Sequence, residues 1–423
     1  MTHPLALMSM KTGMIDRSAS TRPGYGSEND GEKKQPLKIA FFGHDSNEST
    51  IRKRVKAFRG AGSDVIGFMF SRHRDGLARP VEWTNVDLGR TEDGHYGRRV
   101  ARLWRAIMLL RHHCDLLRSA DIFYARNIDM LILARIAKAM AGSDAPLVYE
   151  ALDVHPAMTK RMGLGPILRT VERRLLKACS LLVVSSPMFI DRYFGPVQGY
   201  RGPWFLLENK VFANDGPQPE TPVREEKSAV SPTWTIGWFG VIRCQRSLDI
   251  LQRIAAALPD RIVVHLRGTP SEPDGITKDK LEGLSSKTPN ILYFGAYRNP
   301  QDLPQIYGAV DLTWAVDFSA AGANSDWLIP NRLYEGGLFG VPAISRRATA
   351  TGKVVEEDGR GWCFDEPFEA NLANFLCTLD SKSYADTRAI LCKKDRSAFV
   401  DVSDTAELVS KLSALARRQA VPD

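Results

Sequence analysis

The sequence predicts an α/β protein made of two doubly wound, parallel-sheet domains. Three observations carry this. Short apolar runs alternate with helical spacing over 38–209 and again over 235–344, and parallel strands need such crossover helices. A stretch rich in Pro, Gly and charge, 213–232, separates the two series and reads as a linker. The chain has 423 residues, 43% of them hydrophobic and 25% charged, which is enough for two or three soluble domains.

In the first series, 38–43 is an apolar run ending in glycine. The segment 50–59 places Ile51, Val55 and Phe58 on one helical face, and 64–70 is the next strand. This βαβ unit lacks the G-x-G-x-x-G spacing, so it is not a dinucleotide fingerprint. A basic helix follows over 96–119, with Trp104, Ile107, Met108 and Leu110 as its apolar stripe. Strands at 121–125, 146–150, 181–186 and 204–209 alternate with helices at 129–141, 166–179 and 187–194. The second series has strands at 235–240, 261–266, 290–295 and 311–316, with helices at 247–258, 278–284 and 303–309 between them. Helices at 368–379 and 405–418 close the chain. The expected organisation is a disordered leader over 1–36, a Rossmann-like domain over 37–212, the linker 213–232 and a second Rossmann-like domain over 233–400. A terminal segment, 401–423, is expected to pack back on the first domain.

The net charge of +8 suits nucleic acid, an anionic membrane or a phosphorylated substrate without choosing among them. The charge is dispersed and no nucleic-acid-binding module appears, which puts nucleic acid last. Six scattered cysteines with no CxxC pair argue against a zinc site and a disulfide framework, and fit reduced cytosolic thiols. No apolar run approaches 18 residues, the length a membrane span needs. The apolar run 4–8 is too short for a signal peptide and has no basic flank.

Ligands of doubly wound sheets bind beyond the carboxyl ends of the strands. That rule nominates the loops after residues 43, 150, 240, 316 and 344. After Gly240, Arg243 and Arg246 enter a helix start, where backbone amides already favour an anion; two guanidiniums there suit a diphosphate, or else salt-bridge a surface loop. After the strand ending at Glu150 come Asp153 and His155, which can orient hydroxyls or act as a general base, or else shape the loop by hydrogen bonding. His44 and Asp45 sit in a polar loop at the same edge and are candidates for holding an acceptor.

The stretch 325–344 joins an apolar run, a short helix and a buried strand. Asn331 is a plausible helix cap after Pro330. Arg332 and Glu335 share a helix face, as a surface ion pair or as part of a site. Gly336 and Gly337 suggest close approach to the backbone, and in the site reading they leave room for a ligand. Glu335 is suited to holding two sugar hydroxyls, because a carboxylate accepts several hydrogen bonds.

The pattern Pro330-x-Arg332-x-Tyr334-Glu335-x-x-x-x-Gly340-x-Pro342 resembles the P-x-K-x-x-E-x-x-x-x-G-x-P signature of GT-B glycosyltransferases, group 1 (glycosyltransferase family 4). The resemblance spans roughly residues 37–418. More narrowly, Phe41-Phe-Gly-His-Asp45, Tyr149-Glu-Ala-Leu-Asp-Val-His155 and Pro330-Asn-Arg-Leu-Tyr-Glu-Gly-Gly337 are similar to succinoglycan-biosynthesis glucosyltransferases. The resemblance implies a GT-B fold and a nucleoside diphosphate sugar, expected to be a UDP-sugar, in the second domain. It implies transfer of a sugar, expected to be glucose, to a lipid-linked saccharide in exopolysaccharide assembly. Arg246 falls where the family has its diphosphate-binding Lys, and Arg243 assists it. Gly240, Asn331, Arg332 and Glu335 complete the donor-side set. His44, Asp45 and Glu150 are the acceptor-side set, and Asp153, His155 and Glu335 are the catalytic candidates. The first Glu of the family's E-x7-E motif falls on Trp327, beside Asp326, and its catalytic-loop His falls near Leu152, three residues before His155. No metal is expected to be required, since guanidiniums and a helix start supply positive charge. The expected location is cytoplasmic, with reversible attachment to the inner face of the plasma membrane through the basic helix and the leader. The competing readings are a nucleotide-sugar epimerase or hydrolase on the same scaffold, and a non-catalytic scaffold of a polysaccharide-assembly complex.

Overall fold

The computed structural model describes residues 35–71, 80–90, 96–159, 162–213 and 233–420. The expected leader up to residue 34 and the expected linker from residue 214 onward lie outside the described residues.

The first sheet contains β1 (Lys38–Gly43), β2 (Asp64–Ser71), β3 (Thr84–Arg90), β4 (Ile122–Arg126), β5 (Leu147–Ala151), β6 (Leu181–Val184) and β7 (Trp204–Leu206). They lie side by side in the order β3-β2-β1-β4-β5-β6-β7, every pair parallel. The strand β1 is apolar on both sides because helices cover both faces. Ala40 and Phe42 pack with the helices Tyr96–Leu110, Ile128–Ala141 and Gly165–Leu176. Ile39 and Phe41 pack on the opposite face with Val55 and Phe58 of the helix Ser49–Gly60. Leu408 and Leu412 of the helix Asp404–Ala420 join that second cluster.

After β8 (Val211–Phe212), the second sheet contains β9 (Trp234–Phe239), β10 (Ile262–Arg267), β11 (Ile291–Tyr293), β12 (Leu312–Trp314), β13 (Ala343–Arg346) and β14 (Gly361–Phe364). Their order is β11-β10-β9-β12-β13-β14, again all parallel. A two-residue strand, β15 (Val400–Asp401), pairs in parallel with β8, so the chain crosses between the sheets twice. In each sheet the order reverses beside its first strand, between β1 and β4 and between β9 and β12. Those two switch points are where the loops splay apart to admit a ligand.

Several elements depart from the sequence expectations. β3 and β14 were not expected: β3 is mostly polar, with only Leu88 buried, and β14 is four half-buried residues. The basic helix stops at Leu110 and continues as a tight turn and the short helix Cys114–Arg118. Its stripe is also offset. Leu103, Ala106, Ile107 and Leu110 face the core, whereas Trp104 (63% exposed) and Met108 face solvent. Asn331 is the first residue of its helix, not the cap; Pro330 occupies the cap position.

Candidate functional site

The first-domain lip of the cleft is built from loops that follow β1, β4 and β5. His44 follows β1 directly, and its Nε2 lies 2.5 Å from a carboxylate oxygen of Glu48 one helical turn on. Its Nδ1 lies 3.3 Å from the amide nitrogen of Asn127, at the end of β4. Burial pushes the Glu48 carboxyl up, but the hydrogen bond and charge of His44, with Arg126 behind, bring it down to about 2. After β5, Asp153 stands in electrostatic range of His155, His44, Glu48 and Arg243. Asp153 is open to solvent, yet the protein crowds it enough that desolvation raises its pKa despite those cations. The Nδ1 of His155 accepts the Ala157 amide at 3.2 Å.

Two expected acceptor residues sit differently. Asp45 is buried, and its Oδ1 accepts the Asn47 amide at 3.0 Å, which shapes the loop. Glu150 is 1% exposed and enclosed by Arg54 at 3.1 Å and Arg126 at 3.7 Å. Burial raises its pKa, but the two guanidiniums outweigh that and hold it ionised. Its place is a buried ion cluster, where removing one partner would strand the other charges, and not the surface an acceptor would touch.

The second-domain lip is a set of arginines. Gly240 follows β9 directly with φ at 111°, a conformation that glycine alone adopts readily, and this turns the chain toward Arg243. Arg243 is half-exposed and pairs with Asp317, after β12, at 2.9 Å. Arg246 lies in the first turn of the helix Gln245–Ala257, pairs with Glu366 at 2.9 Å and stacks 4.1 Å from the centre of the Phe318 ring. Arg346, at the end of β13, stacks on the same ring at 4.7 Å and pairs with Asp326 at 2.6 Å. Arg332 donates to the Val316 carbonyl at 3.1 Å, and its buried Nε has no partner among the described residues. These four guanidiniums converge on the ends of β9, β12 and β13.

The remaining expected donor residues are less exposed. Glu335 is 7% exposed and accepts from Asn299 at 2.9 Å and from the Tyr307 hydroxyl at 3.0 Å; among the described residues no ion pair joins it to Arg332. Asn331 lines a small cavity with Thr50, Arg126 and Lys210 at the domain junction. Gly336 and Gly337 do not make room for a ligand. A Cβ on Gly336 would meet the Thr313 hydroxyl at 2.4 Å, and one on Gly337 would meet the Phe399 ring at 2.3 Å. The glycines let their helix lie against β12 and the segment before β15.

Among the described residues, several contacts join the two domains beside these loops. Asn324 accepts the Val154 amide at 2.8 Å and donates to the Val154 carbonyl at 2.7 Å, gripping the backbone between Asp153 and His155. Trp327 stacks on Tyr193, ring centres 6.5 Å apart, and packs against the first-domain core. The Tyr334 hydroxyl donates to Glu208 at 2.8 Å. Sequence reasoning missed Glu48, Asn127, Phe318, Asn324 and Arg346 as members of the site. A usable signal existed for two of them: Glu48 is four residues from His44, and Arg346 ends a strand at the nominated edge. A pocket of about 560 Å³ lined by Arg173, Lys177 and Arg201 lies at the amino-terminal ends of β6 and β7, at the edge of the sheet away from these loops.

Two doubly wound parallel sheets, with arginines at the carboxyl ends of one and an acid–imidazole group at those of the other, have the fold of GT-B glycosyltransferases. The fold is shared with the Anabaena protein HepE in complex with UDP and glucose, at TM-score 0.63 and 17% identity, covering 89% of this chain and 100% of that one. It is shared too with the sucrose-phosphate synthase of Thermosynechococcus elongatus, at TM-score 0.59 and 14% identity, covering 91% and 97%. No family model matches the sequence. The sequence is 36% identical over 381 residues to the succinoglycan biosynthesis protein ExoL of Rhizobium meliloti (strain 1021), covering 90% of this chain and 94% of that protein. The chain belongs to this family of exopolysaccharide-biosynthesis proteins.

Proposed function

We propose that the protein moves glucose from UDP-glucose to a hydroxyl of a lipid-linked saccharide during exopolysaccharide assembly. The observation that carries this reading is the placement of Asp153 and His155 opposite Arg243, with Asn324 bridging the two lips. Arg243 and Arg246 neutralise the diphosphate as it leaves, helped by the positive end of the helix Gln245–Ala257. UDP-glucose as donor is supported by the HepE structure, which shares the fold and holds UDP and glucose. In this reading the arginines supply the positive charge and the transfer needs no metal, so activity should survive chelation by EDTA.

Attachment to an anionic membrane surface is part of the same reading. No helix of the described residues is long and apolar enough to cross a membrane. Trp104 and Met108 stand exposed around Arg105 on the helix Tyr96–Leu110, and Met162, Leu164 and Ile167 form a second exposed apolar group. Apolar wedges beside basic side chains suit reversible binding at a lipid interface. The test of the function is calorimetry with UDP and UDP-glucose, followed by UDP release in the presence of membranes from a strain that assembles the polysaccharide. Absence of binding to either nucleotide sinks the donor assignment. Salt-insensitive failure to sediment with anionic vesicles sinks the membrane assignment.

A further inference from the structure

We propose that the pocket between the end of the helix Gly165–Leu176 and the turn 195–202 binds the phosphate of an anionic phospholipid headgroup. This rests on the membrane part of the reading above and gives that surface a specific contact. The pocket has a volume of about 560 Å³ and lies at the amino-terminal ends of β6 and β7, opposite the strand ends that form the cleft. Arg173, Lys177 and Arg201 line it, and no carboxylate is among its lining residues. Arg173 is fixed in the wall: its Nε donates to the Gln198 carbonyl at 3.2 Å and its Nη2 to the Val197 carbonyl at 2.9 Å. Lys177 and Arg201 are exposed, and among the described residues no ion pair neutralises either. The acid next to Arg173 in sequence, Glu172, does not compete for them. It is 2% exposed and accepts from Tyr149 at 3.0 Å, from Tyr193 at 2.6 Å and from Gln198 at 2.6 Å, so its charge is spent in the core. Three like charges around one cavity repel one another until an anion enters. A phosphate accepts charge-assisted hydrogen bonds from guanidinium and ammonium groups at once.

The surroundings select a lipid over a soluble phosphate. Pro196 and Val197 line the pocket and are exposed, and Trp204, also exposed, begins the edge strand β7 two residues beyond the lining residue Gly202. Apolar side chains and an indole beside cations suit the boundary between headgroups and acyl chains. The helix Gly165–Leu176 also ties the pocket to the exposed apolar group already described. It runs from the carboxyl end of β5 to the amino end of β6, so Leu164 and Ile167 stand at its cleft end and Lys177 just past its far end. Ten residues at about 1.5 Å each put Ile167 and Lys177 roughly 15 Å apart along the axis. The helix Tyr96–Leu110, which carries exposed Trp104, covers the same face of the sheet. An apolar wedge at one end of this helix layer and a phosphate clamp at the other lay the layer along the bilayer. The cleft mouth then sits at the membrane edge, where a lipid-linked acceptor arrives.

The test is sedimentation of the full chain with phosphatidylcholine vesicles, with and without phosphatidylglycerol. The double variant Lys177→Ala/Arg201→Ala should weaken binding to the anionic vesicles about tenfold or more, with an unchanged urea midpoint because both side chains are exposed. Undiminished binding overturns the site. Lys287→Ala/Lys382→Ala makes the same charge change at exposed positions of the second domain and should bind as the parent does; equal losses in the two variants assign binding to diffuse charge and overturn the site. Hydrogen exchange of the parent on anionic vesicles locates the contact without any substitution. Protection is expected over 195–202, and protection confined to 96–110 overturns the proposal. Glycerol 3-phosphate in calorimetry separates the two sources of phosphate. It should bind no tighter than about millimolar without an acyl chain, and micromolar binding assigns the pocket to a soluble phosphate ester and overturns the lipid assignment. If the parent does not sediment with anionic vesicles at all, the membrane reading fails and the site falls with it. If the parent sediments and the pocket variant does so equally, only the site fails. UDP affinity should be unchanged in both variants, since neither touches the arginine lip, which keeps the donor reading separate.

Discussion

Asp153 and Asp317 occupy matching places on the two lips, each just past the carboxyl end of a sheet strand, and they behave in opposite ways. Desolvation pushes both carboxyls up. Asp317 is nonetheless held below the usual range, because Arg243 lies 2.9 Å away and the Ser319 amide donates to it. Asp153 faces only more distant cations and rises. The second-domain lip is therefore a lattice of fixed charges. Arg243, Arg246 and Arg346 are each held by an acid before any ligand arrives. The first-domain lip holds groups whose protonation can change. A diphosphate needs the former and proton transfer needs the latter, so the difference supports the proposed division into a leaving-group side and an acceptor side.

The largest effect should come from breaking the charged lip. Arg246→Ala removes a charge-assisted contact worth about 1.5–3 kcal/mol, which predicts roughly a ten- to hundredfold loss of UDP affinity. Calorimetry checks this, and unchanged affinity would strip the arginine lip of its role. Arg246 now pairs with exposed Glu366, an interaction worth little by itself, so the ligand displaces it at small cost.

Much of this division was legible in the sequence. The alternation of apolar runs and helical spacing placed the sheets, because each strand of a covered parallel sheet must be apolar on both sides. It also placed Arg243, Arg246, Asp153 and His155 at strand ends. β3 and β14 escaped because edge strands and half-buried ones lose that apolar signal. The role of Glu150 escaped because its partners, Arg54 and Arg126, lie on a helix and a strand far away in sequence. Gly336 and Gly337 pointed correctly to a close approach but not to its agent, since Thr313 and Phe399 are brought in by tertiary packing.

The next effect concerns how the lips are held together. Trp327→Ala removes a half-buried indole that stacks on Tyr193 and should cost about 2 kcal/mol. A urea titration showing a midpoint unchanged from the parent protein would contradict the packing role. A residue at the position of the family's first motif Glu thus serves the domain junction.

Asn324→Ala is a finer probe. It removes two hydrogen bonds to Val154 and should cost on the order of 1 kcal/mol in stability. The informative readout is the split between binding and turnover. Asn324 grips the loop between Asp153 and His155, so turnover should fall about fivefold or more while UDP affinity, set by the arginines, changes by less than about threefold. Equal losses in both would mean that the two lips do not act separately.

The smallest effect is a pH dependence on the first lip. The folded pKa of Glu48 is depressed from 4.5 to about 2. A depressed carboxylate stabilises the folded state above its unfolded value and loses that contribution as pH falls toward its folded value. The stability gap between the parent protein and Glu48→Gln should therefore be full above pH 4.5 and shrink as pH falls toward about 2. Urea midpoints of both proteins across that range measure it. Asp153 runs with the opposite sign: its raised pKa favours the protonated form in the folded state, so its contribution falls as pH rises. Asp153→Asn should widen its advantage over the parent as pH increases past the usual carboxylate range. If both substitutions instead changed stability in the same direction with pH, the contrast between a paired and an unpaired acid on this lip would fail.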